Sequence, residues 1–149
     1  KQAPKMWLVT GVAGFIGSPQ INFIESTVKA IEANGVRCVL PGGSEVVAQV
    51  ETTGVQVGEK VTVGIRPEHI SEANDVNGKL SGVVEVLEQL GEAHLIHMRA
   101  DDGTKIVVRA AGDAWIKVND PIEVGIAGDL CHVFKSDDKA LRRFSKGNI

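Results

Sequence analysis

Tyrosine is absent from the 149 residues, and aromatic side chains make up only 4% of them. The missing phenol removes one common acid–base catalyst. Cysteine is scarce as well: Cys38 and Cys131 stand 93 positions apart with no CxxC spacing. That spacing argues against a disulfide framework or a zinc knuckle and predicts two reduced, buried thiols. Neither charge sign dominates, with 16 Lys and Arg against 19 Asp and Glu, a net charge of −3 and a pI near 5.8. Without a basic field or stripe, nucleic acid is not an expected partner. No apolar run approaches the roughly 20 residues that span a bilayer, and residues 1 to 24 lack the pattern of a signal peptide, so the chain reads as cytosolic. Neither a Gly-x-Ser-x-Gly elbow nor a Gly-x-x-x-x-Gly-Lys-Ser/Thr loop occurs. ATP hydrolysis by this chain is therefore not expected.

What is present repeats. Val57 to Ile65 (VGEKVTVGI) matches Val118 to Ile126 (VNDPIEVGI) at an offset of 61 positions. Upstream, Val28 to Glu32 matches Val84 to Glu88, and Gly35 matches Gly91, at an offset of 56. One unit of about sixty residues closes only a marginal core, whereas two can share one. With 43% hydrophobic side chains the chain can bury such a core.

Short runs rich in β-branched residues predict strands at 24–31, 36–40, 45–50, 60–65, 80–88, 93–99, 104–109 and 121–126, separated by Gly, Asn, Asp and Pro. Eight close-set strands indicate an all-β barrel or sandwich. Asp101-Asp102-Gly103 and Pro41-Gly42-Gly43 mark equivalent hairpins. One short helix is predicted around Val9 to Gly17, stopped by Ser18-Pro19. Residues 135–149 carry little apolar character and predict a flexible tail.

Candidate sites are few. Residues 5–18, KMWLVTGVAGFIGS, carry Gly11, Gly14 and Gly17 in a spacing close to the glycine pattern of short-chain dehydrogenases and sugar epimerases. It would hold a dinucleotide pyrophosphate on a helix N-terminus. The chain has no Tyr-x-x-x-Lys pair, no suitably placed acidic residue and no alternation of strands with helices, so the pattern reads as a tight turn. His94 and His97 are three apart on one strand and face opposite ways, which does not suit a single metal ion. His69 and His132 follow the two copies of the Val-Gly-Ile run, and a lone histidine reads as an ordinary polar group. Glu85 and Glu88, also three apart, are poorly placed for paired acid/base work. In the run at 64–69, GIRPEH, Pro67 fixes a turn after a strand, while Arg66 and Glu68 offer opposite charges to lock it. A partly buried Arg66 paired with a carboxylate is expected. Contact of Arg66, Pro67, Glu68 and His69 with a partner is the alternative.

Four segments in order, VAGFIGSPQINF at 12–23, GIRPEH at 64–69, GVVEVLEQLG at 82–91 and CHVF at 131–134, resemble the C-terminal regulatory part of ATP-binding subunits of carbohydrate ABC importers. Maltose and glycerol-phosphate transporter ATPases are the nearest examples, and the resemblance covers about residues 12 to 144. It implies an OB-like barrel of two TOBE-type units at 23–134, a segment at 1–22 that joins a nucleotide-binding domain, and a tail at 135–149. It also implies a non-catalytic module that contacts a second copy of the subunit, reaches the membrane permease through the ATPase domain, and in some systems binds a regulatory protein. ATP and Mg would belong to the ATPase domain, with no cofactor in this chain, and the assembly would sit on the inner face of the membrane. Related TOBE folds bind oxyanions such as molybdate, which leaves a small-ligand module, for an oxyanion or a sugar, as one alternative and an NAD-dependent epimerase fragment as another. The departure is Lys5 to Gly11, KMWLVTG, where the family usually has Arg-Pro-x-Asn-x-Phe.

Overall fold

The computed structural model describes residues 21–72, 78–111, 116–137 and 139–141. Within them ten strands follow one another: β1 Asn22–Glu32, β2 Gly35–Val39, β3 Glu45–Ala48, β4 Lys60–Ile65, β5 Ile70–Glu72, β6 Gly78–Leu90, β7 Ala93–Ala100, β8 Lys105–Ala111, β9 Pro121–Ile126 and β10 His132–Lys135. Single 3-10 turns at Pro67–His69 and Gly128–Leu130 precede β5 and β10. All eight predicted strands are found, and the protein is all-β with a nearly closed barrel. The predicted helix at 9–17 and the glycines Gly11, Gly14 and Gly17 lie outside the described residues. Among the described residues no helix is long and apolar enough to cross a membrane.

The strands form two five-stranded antiparallel sheets, ordered β5-β9-β6-β7-β8 and β10-β4-β1-β2-β3. Each half of the chain thus builds four strands of one sheet and lends its last strand to the other. Ser71 pairs with Gly125, and His132 pairs with Gly64. Since 125 − 64 and 132 − 71 both equal 61, the two exchanged strands dock in the same register. The bulges also match, interrupting β1 at Lys29 and β6 at Glu85.

Alternation along the strands places equivalent residues inward. Val28, Cys38, Val46 and Val63 of the first half answer Val84, Met98, Ile106 and Val124 of the second, and all are buried. They lie in one continuous core cluster rather than two. Sharing it lets two small units reach a burial that neither attains alone. Cys38 and Cys131 are buried thiols outside any disulfide, and burial pushes the Cys38 thiol up to about 11.

Two seams close the barrel between the sheets. At one, the Asn22 amide acts as a piece of backbone: Nδ2 donates to the Val107 carbonyl and Oδ1 accepts the Val107 N–H, both at 2.8 Å. At the other, the Lys79 N–H donates to Ser44 Oγ at 2.8 Å and the Gln49 N–H donates to the Gly128 carbonyl at 3.1 Å. The tail expected from Lys135 onward begins differently. Lys135 and Leu141 N–H groups donate to Lys139 and Val133 carbonyls, and Leu141 packs partly buried on the core. The apolar Leu141 draws this short return onto β10.

Candidate functional site

The GIRPEH run is one of the two places where the chain crosses between sheets. β4 ends at Ile65, Arg66 is extended (φ −76°, ψ 147°), and Pro67–His69 forms the turn that delivers the chain to β5. Pro67 starts the turn because its fixed φ suits that position and its missing N–H has no intrahelical partner to lose. The His69 N–H donates to the Arg66 carbonyl at 2.9 Å. Pro67 is buried, His69 is half-buried with Nδ1 enclosed and unbonded among the described residues, and Arg66 and Glu68 are exposed. The turn packs against β8 of the other half.

This corrects the expectation for Arg66. No carboxylate lies within ion-pair distance of it among the described residues, and it is exposed rather than partly buried. The turn is held by Pro67 and by backbone bonds, which leaves both charged side chains available.

Beside the turn lies an aromatic face that the sequence alone did not assign as a site. Phe23 of β1 and His132 of β10 both pair across Gly64 of β4. With no side chain on Gly64, the Phe134 ring settles over it, its Cε2 at 2.8 Å from where a Cβ would sit. Phe134 meets Phe23 edge-on at a centroid distance of 5.7 Å, and His132 stacks on Phe134 at 6.4 Å. Phe23 remains 56% exposed. Arg66 follows Gly64 by two residues, so the ring cluster and the exposed guanidinium belong to one end of β4. Some signal for this face exists in the sequence, since Phe23, Gly64 and the CHVF run each fall inside segments that carry the family resemblance, but only the sheet order brings them together.

A groove of about 600 Å³ opens on the first half, lined by Glu25, Ser26, Thr27, Leu40, Pro41 and Asp102 among others. Its cause is a difference between the repeats. In the second half the Asp101 N–H donates to the Ser81 carbonyl at 3.0 Å, and pairing of β6 with β7 reaches Gly82 with Ala100. There a Cβ on Gly82 would stand 2.1 Å from the Arg99 carbonyl oxygen. In the first half Ser26 takes the place of Gly82 and Pro41 that of Asp101, so the strands separate sooner, with Thr27 and Val39 as the last pair.

The remaining candidates separate. His97 Nε2 lies 2.6 Å from Glu88 Oε1, whereas His94 Nε2 is enclosed without a partner among the described residues. Glu85 accepts from Arg99 and Lys105 rather than pairing with Glu88. No group of three potential ligands able to hold a metal occurs among the described residues.

Two interlocked repeats closing one barrel, with strands exchanged in matching register, define an OB/TOBE domain. Residues 17–70 match the MalK OB fold domain and residues 63–134 the TOBE domain, and the chain belongs to this MalK-type family of OB and TOBE domains. It is 35% identical over 136 residues to the maltose/maltodextrin import ATP-binding protein MalK of Vibrio cholerae, which covers 91% of this chain and 36% of that protein. Against the MalK protein of Salmonella typhimurium the identity is 36% over 133 residues, covering 89% of this chain and again 36% of the relative. The chain thus spans little more than a third of the length of these relatives. Among solved structures, the cytoplasmic molybdate-binding protein ModG shares the fold, with a TM-score of 0.65 and 17% identity over 75% of this chain and 94% of that one.

Proposed function

We propose that this chain is the non-catalytic regulatory and dimerisation domain of the ATP-binding subunit of a sugar importer, acting on the cytoplasmic face of the membrane. Its relatives are ATP-binding import proteins, and the observation that carries the reading is the face on which exposed Phe23 and Arg66 stand with half-buried His132 and Phe134. Aromatic and arginine side chains around a small patch are the composition of protein contacts. Its partners in this reading are a second copy of the subunit, the permease reached through the ATPase domain, and a regulatory protein. ATP and Mg are handled by the ATPase domain. The purified chain should show no ATP turnover, and millimolar NAD should leave its melting temperature unmoved. A bound ligand at about 100 times its dissociation constant would add roughly 2.7 kcal/mol, so NAD binding would be plain. ATP turnover, or an NAD shift, would reject the proposal.

A second reading, binding of a small ligand, rests on the groove. Its hydroxyls and carboxylates, with Lys60 as the one cation in the lining among the described residues, suit a neutral polar ligand such as a sugar better than an oxyanion. Calorimetric titration with maltose, molybdate and sulfate separates these classes. Heat at micromolar maltose supports the groove reading, and heat only with molybdate reverses the preference.

A further inference from the structure

Corresponding positions in the two halves carry opposite charges. Lys29, the bulge residue of β1, pairs with Glu45 of β3 at 2.5 Å. In the second half the bulge residue is Glu85, and it pairs with Lys105 of β8 at 2.8 Å. The offsets bear out the correspondence, because the pairs Cys38 with Val28 and Met98 with Val84 fix Glu45 opposite Val39 and Lys105 opposite Arg99 in the same ladder positions. Arg99 reinforces Glu85 at 2.6 Å. A neighbouring pair is repeated without inversion: Glu32 holds Arg37, and Glu88 holds His97.

We propose that this inversion is a partner code that keeps each β-hairpin on its own half. The need for one follows from the backbone. β5 and β10 already show that each sheet accepts a strand of the other half in unchanged register. The hairpin turns match bond for bond, with Gly43 N–H donating to the Leu40 carbonyl at 2.9 Å and Gly103 N–H to the Ala100 carbonyl at 2.8 Å. The inward residues, Val36, Cys38 and Val46 against Ile96, Met98 and Ile106, are apolar in both, so apolarity alone admits either hairpin in either seat. Charge does not. The β2–β3 hairpin seated on β6 would bring Glu45 to Glu85, in the place of Lys105. The β7–β8 hairpin seated on β1 would bring Lys105 and Arg99 to Lys29. Like charges at such positions are unfavourable, and each exchange also forfeits a pair. The same penalty opposes exchange of hairpins between two copies of the chain.

The test uses three variants of the full chain: Lys29→Glu with Glu45→Lys, Glu85→Lys with Lys105→Glu, and all four together. All are built on an Arg37→Gln, Arg99→Gln background that serves as the reference, because Arg37 lies 3.3 Å from Glu45 and Arg99 2.6 Å from Glu85 and would repel a lysine placed there. Each variant then keeps an opposite pair in each half, but the first two give both halves the same polarity and the third restores the inversion. After dilution from urea into low-salt buffer, the misassembled fraction is read as dimer and larger species by size-exclusion chromatography. Either two-site variant should raise it about fivefold over the reference, from like-charge costs of the size found across sheets, and the four-site variant should return it to the reference level. Salt at about 1 M, which shortens screening to about 3 Å, should raise the wild-type fraction toward that of the two-site variants. A purely local role predicts additive damage, with the four-site variant worst. That outcome, or two-site variants that refold as cleanly as the reference, overturns the proposal. If a two-site variant yields no soluble protein, the wild-type salt series decides alone, and a fraction unchanged by salt overturns the code.

Discussion

Two asparagines show what single residues contribute. Asn22 is 7% exposed and joins β1 to β8 through both polar atoms of its amide. Asn22→Ala should leave the Val107 N–H and C=O without partners at the seam and cost about 2 kcal/mol, measured by urea unfolding. A loss under about 0.5 kcal/mol would mean that water replaces the amide at no cost. Asn119 is the one non-glycine residue at positive φ among the described residues, at 77°. Its counterpart 61 positions earlier is Gly58, at 89°, and the N–H groups of Gly58 and Asn119 donate to the equivalent carbonyls of Val28 and Val84. Asn119→Gly should therefore be neutral or slightly stabilising, while Asn119→Ala should cost about 1 kcal/mol in thermal unfolding. Neither asparagine was legible as a structural residue in the sequence. The first acts across 85 positions, and the second is a left-handed turn residue only once the repeat is aligned. GIRPEH was legible as a turn because proline acts locally, but the partner imagined for Arg66 required tertiary information.

Among the elements, eight of the ten strands were readable because alternation and turn residues are local signals. The two missed, Ile70–Glu72 and His132–Lys135, have three and four residues, and each follows a 3-10 turn and pairs with a strand of the other half, so local pattern does not mark them. The surface networks across strands set an acid response. Hydrogen bonding from Lys29 first, then the charges of Lys29 and Arg37, hold the Glu45 carboxyl below its usual range. Lys105 foremost, then Arg99, does the same for Glu85. A carboxyl lowered in the folded state binds fewer protons than in the unfolded chain. Its contribution is present above the unfolded value of about 4.3 and is lost as pH falls through that value toward the folded one. Glu45→Gln should accordingly flatten the dependence of the urea midpoint on pH below about pH 5, and a slope equal to that of wild type would remove this pair as a source.

Across the whole molecule, the repeat predicted two units sharing a core, and the structure interlocks them by exchanging their final strands. The halves should therefore unfold together. Cys38 on β2 and Cys131 before β10 are both fully buried and report on opposite halves. Thiol labelling along a urea series should expose both at one midpoint, and two separated midpoints would contradict the shared core. The proposed role belongs to this scale too, because an interlocked domain presents Phe23, His132 and Phe134 on paired strands, with Arg66 at the head of the turn that follows β4. Sedimentation of the complete ATP-binding subunit, with and without residues 21–141, tests it most directly. The dimer dissociation constant should rise about tenfold or more on removal, a loss of about 1.4 kcal/mol, while the dimers that still form keep hydrolysing ATP. An unchanged dissociation constant would contradict the account.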